Sequence, residues 1–176
     1  MSDSAYSASQ AVERLSRPDP TLLSIDLVNK QLTDAEVAEL ADCLLAHPDL
    51  VTHVFLGGNR LTDETGVKLA RYVAASSTVE WLDLSSNQLG PATYLALAAA
   101  LRVNTSLQRL YLFGNQAEDE SRIDAALVSA LRVNRSRPAD SEWYLYSFQY
   151  YDLDFHRLRA AAEQQGHPSL QMLLVC

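Results

Sequence analysis

The amino-acid sequence predicts an α/β fold in which a parallel sheet and a layer of helices are built from repeating strand–helix units. The apolar pattern L-x-x-L-x-L-x-x-N-x-L recurs with a period of about 28 residues. Its first half alternates apolar and variable residues, which is typical of a strand with one buried face. The segment that follows carries apolar residues four positions apart, which is typical of a helix. One such unit cannot bury its own apolar face, so the units are expected to stack.

Four copies of the pattern define the first four strands after the N-terminal segment. Their first apolar residues, which we number as offset zero, are Leu22, Val51, Val79 and Leu107. An asparagine follows the strand in three copies, and Lys30 takes that position in the first; the three are Asn59, Asn87 and Asn115. A side-chain amide can both donate to and accept from backbone groups that are left unpaired where the strand turns away.

A helix is predicted after each of these turns. The starts are Thr33-Asp34, Thr62-Asp63 and Gly90-Pro91, which are residue types favoured at or next to a helix N-terminus. The buried helical positions recur at offsets 18 and 22, and they are Leu40 and Leu44, Leu69 and Val73, and Leu97 and Leu101. Residues 8–16 predict a short N-terminal capping helix ended by Pro18 and Pro20, with an unstructured tail as the alternative.

The C-terminal third keeps the pattern in degenerate form. The helical leucines of the fourth copy, Leu127 and Leu131, come two residues late. Further strands are predicted with offset zero at Asp140 and Leu170, which gives six strands and five helices between them. The chain is therefore divided into residues 1–20, an N-terminal tail and capping helix; 21–137, four regular repeats; and 138–176, a fifth repeat with a final strand. All three belong to one structural domain.

Composition narrows the function classes. A net charge of −8 disfavours nucleic acid as a partner and is consistent with a basic one. Two cysteines make no disulfide framework, and no histidine is paired with a Cys or carboxylate at metal-ligand spacing. The polar residues 1–20 show no signal peptide, and no apolar run is long enough to span a membrane. We expect a cytoplasmic protein with no cofactor and no metal.

The repeated residues resemble the leucine-rich repeat superfamily. A period of about 28 residues with a full helix is similar to the ribonuclease-inhibitor class, which includes tropomodulin-like, Ran-GAP-like and NOD-receptor-like repeats. The resemblance is clearest from Leu22 to Asn134 and extends more weakly to Val175. It implies a right-handed solenoid with a parallel sheet on the concave side, helices on the convex side and proteins bound by the concave sheet. No residue matches the GTPase-activating role of the Ran-GAP-like members.

Variable strand offsets two, four and six should face away from the helices. Six of the residues there are aromatic, and an exposed apolar patch of that kind normally marks a contact site. The predicted partner-binding residues are His53, Phe55, Trp81, Asp83, Arg109, Tyr111, Phe113, Tyr144 and Tyr146. Two alternatives stay open: the aromatic-rich stretch 143–155 covers this face, or the face has no role.

The sequence favours a non-catalytic protein–protein interaction module or scaffold, because it contains no catalytic or phosphate-binding motif. A second hypothesis is a structural subunit that dimerises or assembles through its last strand, where an uncovered edge invites pairing. The residues of that edge are Leu170, Met172, Leu174 and Cys176. A third hypothesis is a host-directed effector that uses the same sheet face.

Overall fold

The computed structural model describes residues 4–17, 19–116 and 144–145. Strands and helices alternate along this part of the chain, and the strands form one parallel sheet in which the spatial order follows the sequence order. This confirms the predicted α/β architecture with a parallel sheet. The elements are β1 (Ser4–Ala5), α1 (Ala8–Ser16), β2 (Ser24–Asp26), α2 (Asp34–Ala46), β3 (His53–Phe55), α3 (Asp63–Ala75), β4 (Trp81–Asp83), α4 (Pro91–Leu101), β5 (Arg109–Tyr111) and β6 (Tyr144–Leu145).

The core lies between the sheet and the helices. The middle residue of each strand from β2 to β5 is buried, and these residues are Ile25, Val54, Leu82 and Leu110. The predicted helical positions face them: Leu40, Leu69 and Leu97 are at most 1% exposed. Each helix packs against the next one along the chain. The period therefore identified correctly the buried face of β2 to β5 and of α2 to α4.

The predicted asparagines join neighbouring units. Asn59 Nδ2 donates to the carbonyls of Leu27 and Leu56, at 2.9 and 2.8 Å. Asn87 Nδ2 repeats this with Leu56 and Leu84, and Asn115 repeats it with Leu84 and Leu112. Each Oδ1 accepts from a turn amide of the preceding unit, such as Asn87 from the Leu61 N–H at 3.1 Å. The expected dual role of the amide is confirmed.

A second link between units lies at the helix N-termini. The first residue of α2, Asp34, accepts hydrogen bonds from the Thr62 N–H and the Thr65 N–H at the start of α3. Asp63, the first residue of α3, does the same for Gly90 and Thr93 at the start of α4. Burial alone would raise the pKa of both carboxyl groups, but the hydrogen bonds outweigh it and hold each pKa below the ordinary 3.8.

Two features differ from the prediction. Nothing in the sequence indicated β1, which pairs with β2 and extends the sheet by one strand. The fifth repeat was expected to place Glu142 beside Arg109, whereas the structure pairs Tyr144 with Arg109 and Leu145 with Leu110. Offset zero therefore falls at Glu142 and not at Asp140. An even shift leaves the alternation of a strand unchanged, so the hydrophobic pattern could not distinguish the two registers.

The N-terminal helix matches the prediction. α1 spans Ala8–Ser16, with Ser7 capping it by accepting from the Gln10 N–H, and Leu15 is fully buried. Among the residues that the structure describes, no helix is long and apolar enough to cross a membrane. The predicted helical leucines Leu127 and Leu131 and the strand at Leu170 lie outside the described residues.

Candidate functional site

Seven of the nine predicted partner-binding residues lie on the sheet face opposite the helices, because side chains alternate along each strand. We call this set the aromatic face; it consists of His53, Phe55, Trp81, Asp83, Arg109, Tyr111 and Phe113. All seven are half-buried. The parallel register arranges six of them in two rows that cross β3, β4 and β5. The first row is His53, Trp81 and Arg109, and the second is Phe55, Asp83 and Tyr111.

Aromatic and polar side chains alternate in both directions across these rows. Trp81 has His53 and Arg109 directly beside it, while Asp83 has Phe55 and Tyr111 beside it. Aromatic rings therefore meet diagonally. The centroids of Phe55 and Trp81 are 5.0 Å apart, and those of Trp81 and Tyr111 are 5.5 Å apart, each pair edge-to-face at 82°. These geometries are favourable for ring quadrupoles. Tyr111 also contacts Phe113, at 6.4 Å between ring centroids.

Trp81 lies at the centre of the aromatic face. The Cζ of Arg109 lies 4.6 Å from the centroid of its ring, which is a cation–π contact. Its indole Nε1 is buried and has no hydrogen-bond partner within the part of the chain that the structure describes. A buried donor without an acceptor costs free energy in the isolated molecule. The structure thus concentrates ring contacts, a guanidinium and an unsatisfied donor around one side chain.

Asp83 is fixed by the residue two positions later. Its Oδ1 accepts from the Ser85 N–H at 2.9 Å and from the Ser85 hydroxyl at 2.6 Å. Its Oδ2 lies over Gly57, where an added Cβ would come within 2.9 Å of that oxygen. Among the described residues, no ion pair includes Asp83. The carboxylate is held in place, and no described cation neutralises its charge.

His53 is oriented by its neighbour in sequence. The Thr52 hydroxyl lies 2.9 Å from the Leu23 carbonyl and 2.7 Å from His53 Nδ1, and the tautomer of the imidazole decides which group donates in the second contact. This contact orients the ring through Nδ1.

Sequence reasoning missed three residues that shape the aromatic face. Thr52 orients His53, Ser85 fixes Asp83, and Gly57 gives the carboxylate room. The spacing Asp83-Leu84-Ser85 was a usable signal, because an Asp commonly accepts from the backbone two residues later. Offset six placed Gly57 and Ser85 on this face without giving them a role, and nothing in the sequence marked Thr52.

The remaining predicted site residues are only partly described. The backbone of Tyr144 lies beside Arg109 in β6, in the first row and not in the second row where it was expected. Tyr146 and the edge residues Leu170, Met172, Leu174 and Cys176 lie outside the described residues, as does the stretch proposed to cover the face apart from Tyr144 and Leu145. Within the described part, no group of three His, Cys, Asp or Glu residues is arranged to hold a metal ion.

Comparison with known proteins gives a structural match alone. No family model and no curated protein matches the chain. Solved structures do match, and one of them is "Leiomodin-1 Actin-Binding Site 2 (ABS2)". The two share a TM-score of 0.59 and 18% sequence identity over 89% of this chain and 95% of the other. At this level of identity the match shows a common fold.

Proposed function

We propose that the chain is a leucine-rich repeat protein of the ribonuclease-inhibitor-like class that acts as a non-catalytic protein-binding module. The support for the class is the period of about 28 residues, the parallel strands in sequence order and the asparagine links between units. In this proposal the sheet face opposite the helices is the concave side of a solenoid. The partner protein binds there, on the aromatic face.

The observation that carries the binding proposal is the continuous contact of Phe55, Trp81, Tyr111 and Phe113 across three strands. These rings lie on the side of the sheet that α1–α4 do not cover. Trp, Tyr and Arg are the residue types most enriched in interface hot spots, and all three meet at Trp81.

The structural neighbour suggests one partner to try first. That neighbour is named as an actin-binding site of leiomodin-1. A fold in common does not transfer a function, because one fold hosts many functions. Monomeric actin is nevertheless a defined protein probe, and its binding to this chain can be measured directly.

The test compares a triple variant with a matched control on the other side of the molecule. Trp81→Ala, Tyr111→Ala and Phe113→Ala together remove the centre of the aromatic face. Leu95→Ala with Val103→Ala removes apolar side chains that are 45% and 64% exposed elsewhere. Each protein is immobilised, exposed to an extract of the source cells and to purified actin, and the bound proteins are quantified by mass spectrometry.

We expect at least one protein to be captured by the wild type and the control and lost by the triple variant. Truncation of a hot-spot residue typically costs about 2 kcal/mol or more, which is roughly a thirtyfold loss in affinity. Circular dichroism establishes that the triple variant is folded. Equal capture by all three folded proteins would refute the aromatic face as the binding surface.

The other two hypotheses make different demands. Assembly through the last strand depends on Leu170, Met172, Leu174 and Cys176, and no described residue bears on it. Sedimentation of a monomer at high concentration would exclude it. The host-directed effector would use the same aromatic face, so it differs in the origin of the partner and not in the residues that bind it.

A further inference from the structure

We infer that a partner bound on the aromatic face places a carboxylate, from an aspartate or glutamate side chain, against the guanidinium of Arg109. This inference deepens the proposed function and rests on it. It gives the partner a stated chemistry at one point of the interface: an acidic side chain that follows or precedes the apolar groups in contact with the rings.

The guanidinium of Arg109 is held in place but has no acceptor. It lies over Trp81, with Cζ 4.6 Å from the ring centroid, and Trp81 is itself supported edge-to-face by Phe55. Among the described residues, none forms a hydrogen bond or ion pair with this guanidinium. In the same part of the chain, Trp81 Nε1 is the one buried side-chain nitrogen or oxygen without a partner, so the guanidinium nitrogens of Arg109 are open to solvent. Water satisfies these donors in the free protein.

A partner that covers the aromatic face changes this situation. Arg109 is half-buried and touches Trp81, so a surface that packs on Trp81 also removes water from the guanidinium. A cation that loses its water without gaining an anion is strongly unfavourable. An apolar or basic surface at this point would therefore oppose binding, whereas an acidic side chain would compensate for the lost water.

The planar guanidinium fits a carboxylate well. It presents N–H donors in a fixed fork that matches the two oxygens of a carboxylate. The contact with Trp81 restricts the side chain before the partner arrives, so less conformational entropy is lost on binding. Recognition of a phosphate group commonly uses several arginines, and Arg109 is the single cationic Arg or Lys side chain within the set that defines the aromatic face. We therefore assign a carboxylate and not a phosphate.

Asp83 is the other charged carboxyl or guanidinium group of the aromatic face, and it does not take the place of the partner's carboxylate. Its Oδ1 accepts from the N–H and the hydroxyl of Ser85, and it forms no ion pair with Arg109. Its charge instead repels an incoming carboxylate. Diagonal positions on neighbouring strands are about 7 Å apart, and like charges at that distance in water oppose each other weakly.

The net charge of the chain is −8, which repels an anionic partner at long range. The inference concerns one contact and not the overall charge of the partner, because a basic protein can still present a single acidic side chain. The measurement is made at about 0.15 M salt, where charges more than about 8 Å apart are largely screened.

The probes are blocked tripeptides of glutamate and glutamine, together with inorganic phosphate. Each is titrated into isotope-labelled protein, and the Nε–H signal of Arg109 and the indole signal of Trp81 are followed by NMR. Triglutamate should shift both signals. Triglutamine, which has nearly the same shape without the charge, should bind at least about tenfold more weakly, which corresponds to about 1.4 kcal/mol. Phosphate should bind more weakly than triglutamate.

Four variants separate the contact from general electrostatics. Arg109→Gln should weaken triglutamate by about tenfold, read from the Trp81 indole signal. Arg102→Gln makes the same change of charge at an exposed residue after α4, away from the sheet face, and should stay within about twofold of the wild type. Arg109→Lys keeps the charge without the planar fork and should fall between the wild type and Arg109→Gln. Asp83→Asn should strengthen triglutamate by about two- to threefold, because one like charge is removed.

Unchanged amide signals of Val54 and Leu82, on the buried side of the sheet, establish that each variant is folded. The inference is overturned if triglutamate shifts neither signal, if triglutamine or phosphate binds as tightly, if Arg109→Gln has no more effect than Arg102→Gln, if Arg109→Lys binds as well as the wild type, or if Asp83→Asn weakens binding. Partner capture that survives Arg109→Gln but not the triple aromatic variant would leave the proposed function standing and remove this contact alone.

Discussion

Replacement of Asn87 by alanine should destabilise the fold by about 3 kcal/mol, because its amide joins two units from within the core. Asn87 is 7% exposed. Its Nδ2 donates to the carbonyls of Leu56 and Leu84 at 3.0 and 3.1 Å, and its Oδ1 accepts from the Leu61 N–H at 3.1 Å. Its Nδ2 also lies within hydrogen-bond distance of the Ser85 carbonyl, at 3.1 Å, so its two amide hydrogens are shared among three carbonyls. Alanine removes all of these hydrogen bonds.

The losses are unequal, and the Ser85 carbonyl keeps the Gly58 N–H at 2.9 Å, so only two donated bonds and one accepted bond enter the sum. The Leu56 carbonyl keeps a hydrogen bond from Asn59 at 2.8 Å, and the Leu84 carbonyl keeps one from Asn115 at 2.9 Å. Each of these losses therefore costs only the net value of one hydrogen bond, about 0.5–1.5 kcal/mol. The Leu61 N–H loses its partner inside the protein, which costs about 1–3 kcal/mol. The sum is about 2–6 kcal/mol, and partial access of water favours the lower half of that range.

Urea-induced unfolding followed by far-UV circular dichroism measures this loss. Gln88→Ala is the control, because Gln88 follows Asn87 in sequence and its side chain is exposed. Its replacement should change the free energy of unfolding by no more than about 0.5 kcal/mol. Hydrogen exchange of the Leu61 amide should accelerate in the Asn87 variant alone. A loss below about 1 kcal/mol, with that amide still protected, would refute the reasoning that the amide is a buried link between units.

Three further changes test the rest of the scaffold by the same unfolding measurement. Leu82→Ala empties a fully buried position and should cost about 2–5 kcal/mol, whereas a loss under about 1 kcal/mol would contradict the core assignment. Gly66→Ala places a methyl group against the buried Thr93 where α3 meets α4, and overpacking should cost about 1–3 kcal/mol despite the better helix propensity of alanine. Asp34 and Asp63 have folded pKa values below 3.8, so their stabilisation is present above that pH and is lost as the pH falls through the folded values. Asp34→Asn with Asp63→Asn should therefore flatten the acid side of the stability profile, and an unchanged slope would contradict the role of these two carboxylates.

The period carried most of the fold prediction. Because the units are in parallel register, residues separated by the repeat length become neighbours in the sheet, as His53, Trp81 and Arg109 do. The alternation within each strand then decided which residues face the helices. Capping residues such as Thr33 and Thr62 marked helix starts that the structure places one residue later, at Asp34 and Asp63. These signals are either local or strictly periodic, so a single sequence is enough to detect them.

What the sequence could not predict depends on contacts between units. β1 is two residues long and has no periodic pattern of its own; it forms because β2 offers a free edge. The register of β6 was misplaced by two residues because an even shift preserves alternation. The hydrogen bond from the Thr62 N–H to Asp34 joins the starts of two successive helices. An Asp at a helix start is also favoured by the dipole of its own helix, so its presence in the sequence did not indicate a link between units.

Aromatic and polar residues alternate on the aromatic face, so the proposed binding surface is not uniformly apolar. The rings of Phe55 and Tyr111 contact that of Trp81 diagonally, because Trp81 is at offset two and the other two residues are at offset four. Diagonal neighbours in a sheet remain within reach of large rings. The positions directly beside Trp81 hold an imidazole and a guanidinium, and a carboxylate separates the other two rings, so no apolar row runs unbroken across the strands. In the proposed function a partner would have to match apolar and polar contacts at the same spacing, which would make binding more selective than at a uniform aromatic surface.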